Sequence, residues 1–350
     1  MAGYAPLFRG FTPMLEIDVD GRPIASPFWS ILVSCKITDN EGEEVDRISL
    51  KLDDRFNAIE LPRKGAIITA RIGYRERLPL IEKGQFKVTK FPIEGSTEGG
   101  EFLMIEGEAV DLRKDAKGEG RKAYKKQTFG AIVQAEAKAM GLQAVVPESL
   151  AGIAFDYKLR WHQSRVDFLT RLANEIGGIV KPAGGKLIVQ DRGSGKSAGG
   201  QELAPIMIMK SDCISWSGDP SGRMQYGEVH ATWRDPKTGK LKTEKEPTGL
   251  EGPARILREH YPDQGRAKKA GAAEKGRINR ETGNASFVIY GRPEAQAGAP
   301  VLAGDFRSGL RGEWRATTVE HNFEPGENGG YTSTVSAKAK EDGKRGKDDA

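Results

Sequence analysis

GQFKVT (residues 84–89) returns near the C-terminus as GEWRAT (residues 312–317). In both copies a glycine leads (Gly84, Gly312), an aromatic side chain stands two residues on (Phe86, Trp314), and a threonine closes the run (Thr89, Thr317). Apolar residues alternate with polar ones, the period of a half-buried strand. The surroundings echo as well. Upstream, Gly65-Ala-Ile-Ile-Thr-Ala70 corresponds to Gly298-Ala-Pro-Val-Leu-Ala303. Downstream, Gly99-Gly100 before Glu101-Phe102 corresponds to Gly329-Gly330 before Tyr331. Order and turn chemistry agree while the spacings differ by several residues. Self-similarity of this kind marks one structural unit used twice. The expectation is two related all-β domains, one at each end of the chain.

Outward from the first copy, residues 14–110 read as short strands. Asp20-Gly21 is a hairpin turn pair. Ile48, Leu50 and Leu52 alternate with Ser49 and Lys51, and AIITARIGY (66–74), GQFKVTKFPIEG (84–95) and EFLMIEGEA (101–109) continue the pattern. Short strands with Gly-rich turns suggest a small barrel or sandwich. Residues 113–126 are basic, with Arg113, Lys114, Lys117, Arg121, Lys122, Lys125 and Lys126 against Asp115 and Glu119. Without an accompanying aromatic series they read as a solvated linker in preference to a phosphate-binding patch.

Two helices follow. Thr128 caps a helix over 129–140 with Phe129, Ile132, Val133, Glu136, Ala137 and Met140 at helical spacing, and Gly141 ends it. Ser164 with Asp167 resembles a capping box before Phe168, Leu169, Leu172, Ala173 and Ile176, and Gly177-Gly178 closes that helix. Residues 179–190 form a hairpin around Gly184-Gly185, and GSGKSAGG (193–200) is a flexible loop. Strands resume over 205–235, are interrupted over 236–283 by a polar hairpin tip and a Gly-diluted helix near 264–281, and run again from ASFVIYG (285–291) to about 339. The tail at 340–350 has balanced charge and is expected to be disordered.

The predicted fold is therefore α+β and mainly β, with two related antiparallel β-barrels. The N-terminal barrel takes 1–112, a small α/β domain takes 113–204, and the second barrel takes 205–235 and 284–339. The insertion at 236–283 places its helix on the middle domain.

Composition agrees. In 350 residues there are 44 Gly and 18 Pro, and hydrophobic residues make up 37%. That mixture favours turns and short strands over a helical bundle. A net charge of +5 spread over this length does not mark a dedicated nucleic-acid binder. Cys35 and Cys213 form no framework and read as buried thiols. The N-terminus lacks the apolar core of a signal peptide, and no apolar run approaches the ~20 residues of a membrane span. The expectation is a soluble protein made in the cytoplasm.

Catalytic patterns are missing. Gly195-Lys196-Ser197 ends like a Walker A loop, but Gln190 stands where the motif needs Gly. His162, His230, His260 and His321 are scattered, with no zinc spacing among them or the cysteines. His162, beside Trp161, suits a structural hydrogen bond. Ser221 sits in GDPSG, outside any nucleophile elbow. No motif singles out a carboxylate pair for glycoside hydrolysis. Trp29, Trp161, Trp216, Trp233 and Trp314 fall beside predicted strands or helix starts and are expected in the core or at interfaces. No catalytic, metal or cofactor residue is assigned.

Across residues 5–338 the chain resembles the late control D family, the baseplate hub proteins of contractile-tailed phages. The resemblance rests on SCKITDNEGEEVDRISLKLDD (34–54), LPRKGAIITARIGY (61–74), GQFKVTKFPIEG (84–95), WHQSRVDFLTRLANEIGGIVKPAGGKLIV (161–189), GRPEAQAGAPVLAGDF (291–306) and GEWRATTVEHNF (312–323). The middle block is the most specific, through Trp161, His162, Gln163, Asp167, Phe168, Leu169, Gly177 and Gly178. It is also similar to the N-terminal part of type VI secretion spike proteins. The resemblance implies a non-enzymatic homotrimeric hub with two tube-like barrels per chain, joining a six-fold tail tube to a three-fold central spike in the virion. Three chains with two equivalent domains each would look six-fold at the ring of barrels. The implied partners are the spike as a separate chain, the tube or tube-initiator protein, the wedge proteins and the tape measure protein, with DNA only in transit and no membrane. The interface residues toward spike and tube stay unassigned. The alternative from another class is a tail-tip peptidoglycan hydrolase.

Overall fold

The structure, a computed structural model, describes residues 10–42, 44–61, 63–97, 99–109, 120–183, 186–192, 195, 202–219, 226–326 and 329–339. The expected tail at 340–350, the loop residues Lys196 and Ser197, the hairpin tip Gly184-Gly185, Ser221 and the basic residues at 113–119 lie outside them.

In chain order the first part holds β1 (Pro13–Val19), β2 (Arg22–Pro23), α1 (Pro27–Ile31), β3 (Leu32–Asn40), β4 (Arg47–Asp53), β5 (Ile67–Tyr74), β6 (Arg77–Lys90), β7 (Ile93–Ser96) and β8 (Gly100–Ala109). The middle holds β9 (Gly120–Thr128), α2 (Phe129–Met140), β10 (Gln143–Val145), α3 (Glu148–Ala151), β11 (Ala154–Gln163), α4 (Arg165–Glu175), β12 (Gly178–Ala183) and β13 (Lys186–Asp191). The last part holds β14 (Ile206–Ile208), β15 (Cys213–Asp219), β16 (Glu228–Arg234), β17 (Leu241–Pro247), β18 (Ala254–Tyr261), α5 (Gln264–Arg280), β19 (Asn284–Tyr290), β20 (Pro300–Ala303), β21 (Gly312–Glu324) and β22 (Gly330–Ala339). The chain is mainly β with a few helices.

The repeat seen in the sequence has a geometric counterpart in strand register. In the first unit Ile67, Ile68, Thr69 and Ala70 stand opposite Lys87, Phe86, Gln85 and Gly84. In the second, Pro300, Val301, Leu302 and Ala303 stand opposite Arg315, Trp314, Glu313 and Gly312. Position for position this is one register. Gly84 and Gly312 both take positive φ, 116° and 129°, a conformation that a side chain disfavours. The next ladder agrees as well. Phe86 faces Ala109 and Trp314 faces Ala339, and each ladder then shifts by one residue, at Thr89 and at Thr317. Both threonine hydroxyls donate across that bulge, Thr89 to the Glu106 carbonyl at 3.4 Å and Thr317 to the Ser336 carbonyl at 3.1 Å. The β3–β4 and β15–β19 ladders also match, down to bulges after Leu32 and after Cys213. Five strands, β3, β4, β5, β6 and β8, thus recur in the same chain order as β15, β19, β20, β21 and β22. Phe86 and Trp314 are buried in separate hydrophobic cores.

The two units are one hydrogen-bonded sheet, ordered β15-β19-β22-β21-β3-β4-β8-β6-β5-β1-β2, with β20, β14 and β7 branching from it. The joint is the ladder from Thr318 opposite Asn40 to Phe323 opposite Cys35. The expectation of two related β-barrels did not include this ladder. It exists because β21 runs 13 residues, past the end of β20, and its distal half has an edge to share.

Polar groups lock the joint. Lys181 of β12 donates to Asp39 (3.3 Å), the Asn40 carbonyl (2.9 Å) and Asp46 (3.0 Å), while Asp39 also accepts the Ala297 amide at 2.9 Å. One turn between β3 and β4 therefore holds the middle unit and the second β unit together. Arg315 pairs with Glu41 in the same place. Nearby, the fully buried His321 ring contacts the Ala295 carbonyl through Nε2 at 3.3 Å and the Tyr331 hydroxyl through Nδ1 at 2.7 Å. A carbonyl can only accept, so Nε2 carries the proton and Nδ1 accepts from Tyr331. Burial, then the Lys83 cation, hold His321 well below the usual imidazole range.

The middle unit packs α2 and α4 with β10, β13 and β12 around Phe129, Phe168, Leu169 and Leu172. Thr128 and Ser164 cap the helices, accepting from the Ala131 and Asp167 amides, and Gly141 closes α2 at φ 68°. Residues 120–126, expected in a linker, instead belong to β9, paired antiparallel with β11. The strand forms because one face buries Tyr124 on Phe168, ring planes 13° apart, while the lysines face water. Glu136 is fully buried, accepting from Tyr124 and Arg165, with Arg160 at 3.3 Å.

Two boundaries of the expected second barrel are also corrected. β16, read from Val229, Ala231 and Trp233, leaves the large sheet and forms a separate one ordered β17-β16-β18. Helix α5 lies mainly on that sheet, because Ala267, Ala270 and Gly271 let it approach β16 and β17 closely. It reaches the middle unit through Arg266, which donates to the Ala154 carbonyl at 2.6 Å.

Two outcomes follow for stability. The unfolded chain binds a proton at His321 below about pH 6.5, where the folded chain resists it. The stability gained from the neutral ring is present above that pH and falls as the pH drops. The melting temperature of the wild type is expected to fall more steeply between about pH 6.5 and 5 than that of His321→Gln; equal slopes would refute this. Glu136→Gln leaves two arginines facing a neutral amide, and urea unfolding should register a loss of about 3 kcal/mol.

Candidate assembly surface

The residues of the most specific sequence block divide into a buried and an exposed set. Phe168 and Leu169 are fully buried. The Asp167 amide donates to Ser164 Oγ at 3.0 Å and so starts α4. Gly177 takes φ 79°, which a side chain disfavours, and a Cβ on Gly178 would lie 3.0 Å from Leu150 Cδ1, so the first glycine serves the turn and the second the packing. Gln163 accepts from Arg171 at 3.3 Å.

Trp161 and His162 face outward. Trp161 is 53% exposed, and the Arg121 guanidinium lies 3.9 Å from its ring centroid. His162 sits at the β11 bulge with φ 48°, and Arg121 Nε donates to its Nε2 at 3.1 Å. The tight kink at His162 turns the Trp161 ring edge-on to the imidazole, 5.1 Å between centroids. Sequence reading placed a structural hydrogen bond at His162 but did not pair it with Arg121, which stands far away in sequence on β9.

The remaining candidates sit as follows. Gly84, Phe86 and Thr89 belong to β6, and Gly312, Trp314 and Thr317 to β21, at the equivalent positions given above. Of the five tryptophans, Trp314 and Trp233 are buried, while Trp161 and Trp216 are exposed. Trp216 lies on β15 with its ring against Phe306, 5.6 Å between centroids. Cys35 is buried and Cys213 partly so, both as free thiols, and burial pushes each up to about 12. Among the described residues no cluster of His, Cys, Asp and Glu is placed to hold a metal ion. No helix of the described residues is long and apolar enough to cross a membrane.

Four strands of the large sheet have a described neighbour on one side only: β2 pairs with β1, β14 with β20, β15 with β19 and β7 with β8. The last three carry outward apolar groups, Met207 (54% exposed) on β14, Ile214 (53%) and Trp216 (46%) on β15, and Ile93 (59%) on β7. Glu136, Lys181 and the β21–β3 ladder were missed in the sequence. The only available signal was an acidic residue on the apolar stripe of α2.

Comparison with known proteins adds to this geometry. No protein-family model matches the chain. It is 26% identical over 369 aligned residues to the probable baseplate hub protein of Escherichia phage 186, covering 94% of this chain and 93% of the relative. It is 32% identical over 229 residues to the probable baseplate hub protein of Escherichia phage P2, covering 65% of this chain and 58% of the relative. Among solved structures, the 43 kDa tail protein of prophage MuSo2 from Shewanella oneidensis shares the fold, with TM-score 0.70, 16% identity and coverage of 95% and 99% of the two chains. A type VI secretion system component of E. coli also shares it, with TM-score 0.55, 12% identity and coverage of 95% and 79%. Along nearly its whole length the chain is similar in sequence to a phage baseplate hub protein, and it shares its fold with phage tail and type VI secretion proteins.

Proposed function

We propose that this chain is the structural hub of a contractile tail baseplate, acting as a closed trimer that joins a six-fold tail tube to a three-fold central spike. The observation that carries the reading is the five-strand unit built twice with one register. A ring needs equivalent surfaces, and a chain holding two equivalent units gives a trimer twice as many as it has subunits. The ring of β units would meet the tube, and the middle units and insertions would differ from them and repeat three-fold. The central spike, the tube or tube-initiator protein, the wedge proteins and the tape measure protein are the partners of this reading. The chain would reside in the virion tail after synthesis in the host cytoplasm.

DNA would pass through the ring without tight binding, since each phosphate contact adds a salt-dependent term to affinity. The basic side chains of β9, among them Arg121, Lys122 and Lys125, belong to the middle unit and not to the large sheet. That placement supports a position outside the lumen for this part of the basic run.

The relatives are named as probable baseplate hub proteins, which supports reading this chain as a structural protein. Light scattering on the purified protein, alone and mixed with its cognate spike, is expected to give three chains per particle; a stoichiometry that three does not divide would overturn the trimer. A peptidoglycan zymogram is expected to show no cleared band. A cleared band would restore the hydrolase alternative.

A further inference from the structure

Strand β9 carries cations for which the chain supplies no acid. Among the described residues, Arg121, Lys122, Lys125 and Lys126 form no ion pair with a carboxylate; Arg121 contacts His162 and Trp161, and Lys122 lies over the Tyr124 ring. Other cations of the middle unit are paired. Lys158 meets Glu175, Arg160 and Arg165 meet Glu136, and Lys181 meets Asp39 and Asp46. Unmatched positive charge is therefore gathered on one strand.

The face that carries it has a regular pattern. Tyr124 turns inward onto Phe168, so Arg121, Ala123 and Lys125 point outward. Opposite them on β11 stand Trp161, Leu159 and Tyr157, in that order. The basic stretch has no outward aromatic of its own; β11 supplies two, Trp161 at 53% and Tyr157 at 52% exposed. Along the ribbon the face thus reads cation with aromatic, alanine with leucine, cation with aromatic. The two cations stand about 13 Å apart, four residues along the strand. The bulge at His162 fixes one end of the row, where it sets the direction of Trp161.

The edge beside this face has no described strand next to it. β9 and β11 form a two-stranded sheet and pair only with each other. β9 contains no proline, so every residue in it keeps an amide to donate.

We propose that β9 docks an extended acidic segment of a partner protein, added beside it as a third strand. Carboxylates of the segment stand opposite Arg121 and Lys125, and an apolar side chain stands opposite Ala123. The required pattern, acidic–x–apolar–x–acidic, reads the same in both directions. The surface lies outside the large sheet, and the proposal does not depend on the trimer.

Three arguments carry it. The first is charge complementarity: acid has to come from another molecule, and opposite charges across strands stabilise a pair. The second is spacing. A strand presents every second side chain on one face, which is the repeat of Arg121, Ala123 and Lys125. The third is exclusion. A second copy of β9 on the same edge would set cation against cation, the usual way lysines keep an edge from pairing with itself. A single-stranded nucleic acid fits less well. Its bases need open ring faces, whereas the Arg121 guanidinium covers one face of Trp161 at 3.9 Å from the centroid. Ala123 and Leu159, between the two cations, offer a phosphate no hydrogen bond from their side chains.

The test uses the full chain and a fluorescein-labelled peptide holding two copies of Glu-Thr-Val-Thr-Glu, followed by fluorescence anisotropy. The peptide is expected to bind the wild type, and Lys125→Glu to weaken binding about tenfold with the melting temperature unchanged, since Lys125 is exposed. The same peptide with lysine in place of glutamate should show the opposite preference, binding Lys125→Glu more tightly than the wild type. Absence of binding by the patterned peptide at millimolar concentration overturns the proposal. Equal binding of a peptide of the same composition with its glutamates grouped at one end also overturns it, since charge alone would then suffice. Tighter binding of an oligothymidylate of equal charge overturns it as well and assigns the face to single-stranded nucleic acid.

Discussion

The distal half of β21 is shared between two sheets' worth of structure, and the rest of the molecule depends on that sharing. One edge of the segment completes the second β unit through β22, and the other edge carries β3. Six residue pairs, from Thr318–Asn40 to Phe323–Cys35, make the joint. At roughly 0.2–1 kcal/mol per cross-strand pair this amounts to a few kcal/mol, comparable to the stability of a small domain. The equivalent segment of the first unit, β7, pairs with β8 and has no described partner on its other edge.

Around this ladder the protein concentrates buried polarity. Lys181, Asp39 and Asp46 form one cluster, Arg315 and Glu41 another, and His321, Tyr331 and Ser333 a third. Buried ionic groups add little net stability, because desolvation offsets the attraction. Their geometric demands are strict, however, and an alternative packing of the three units would leave charges unpaired. These clusters therefore restrict how the units can be oriented. In the proposed trimer that restriction would matter, because an error in the angle between the two units would be repeated in every copy.

Function in such a protein resides in edges and faces. The fold shared with phage tail and type VI secretion proteins at low identity shows that the architecture tolerates wide sequence change. What persists here is backbone geometry: a glycine with positive φ before each central strand, a threonine at each bulge and an aromatic side chain beneath. The exposed group of Arg121, Trp161 and His162 on the middle unit is built differently, from a ribbon whose two strands, β9 and β11, are separated in the chain by α2, β10 and α3.

The sequence by itself determined the local elements. Alternation in GQFKVT and GEWRAT, the paired glycines, and the caps at Thr128, Gly141 and Ser164 all act within a few residues, through backbone sterics and hydrogen bonds that neighbours supply. They made the duplicated unit and the middle helices legible. Only the tertiary structure decided which strand meets which. The lysine-rich stretch that became β9 needed β11 and the face of Phe168 to be a strand at all. β16 had the alternation of a strand, but nothing in Val229, Ala231 and Trp233 says which sheet receives it. Glu136 read as part of an apolar stripe until Tyr124, Arg160 and Arg165 surrounded it. Pairing between distant segments depends on the closure of long loops and on the fit of whole faces, and no short window of residues encodes either.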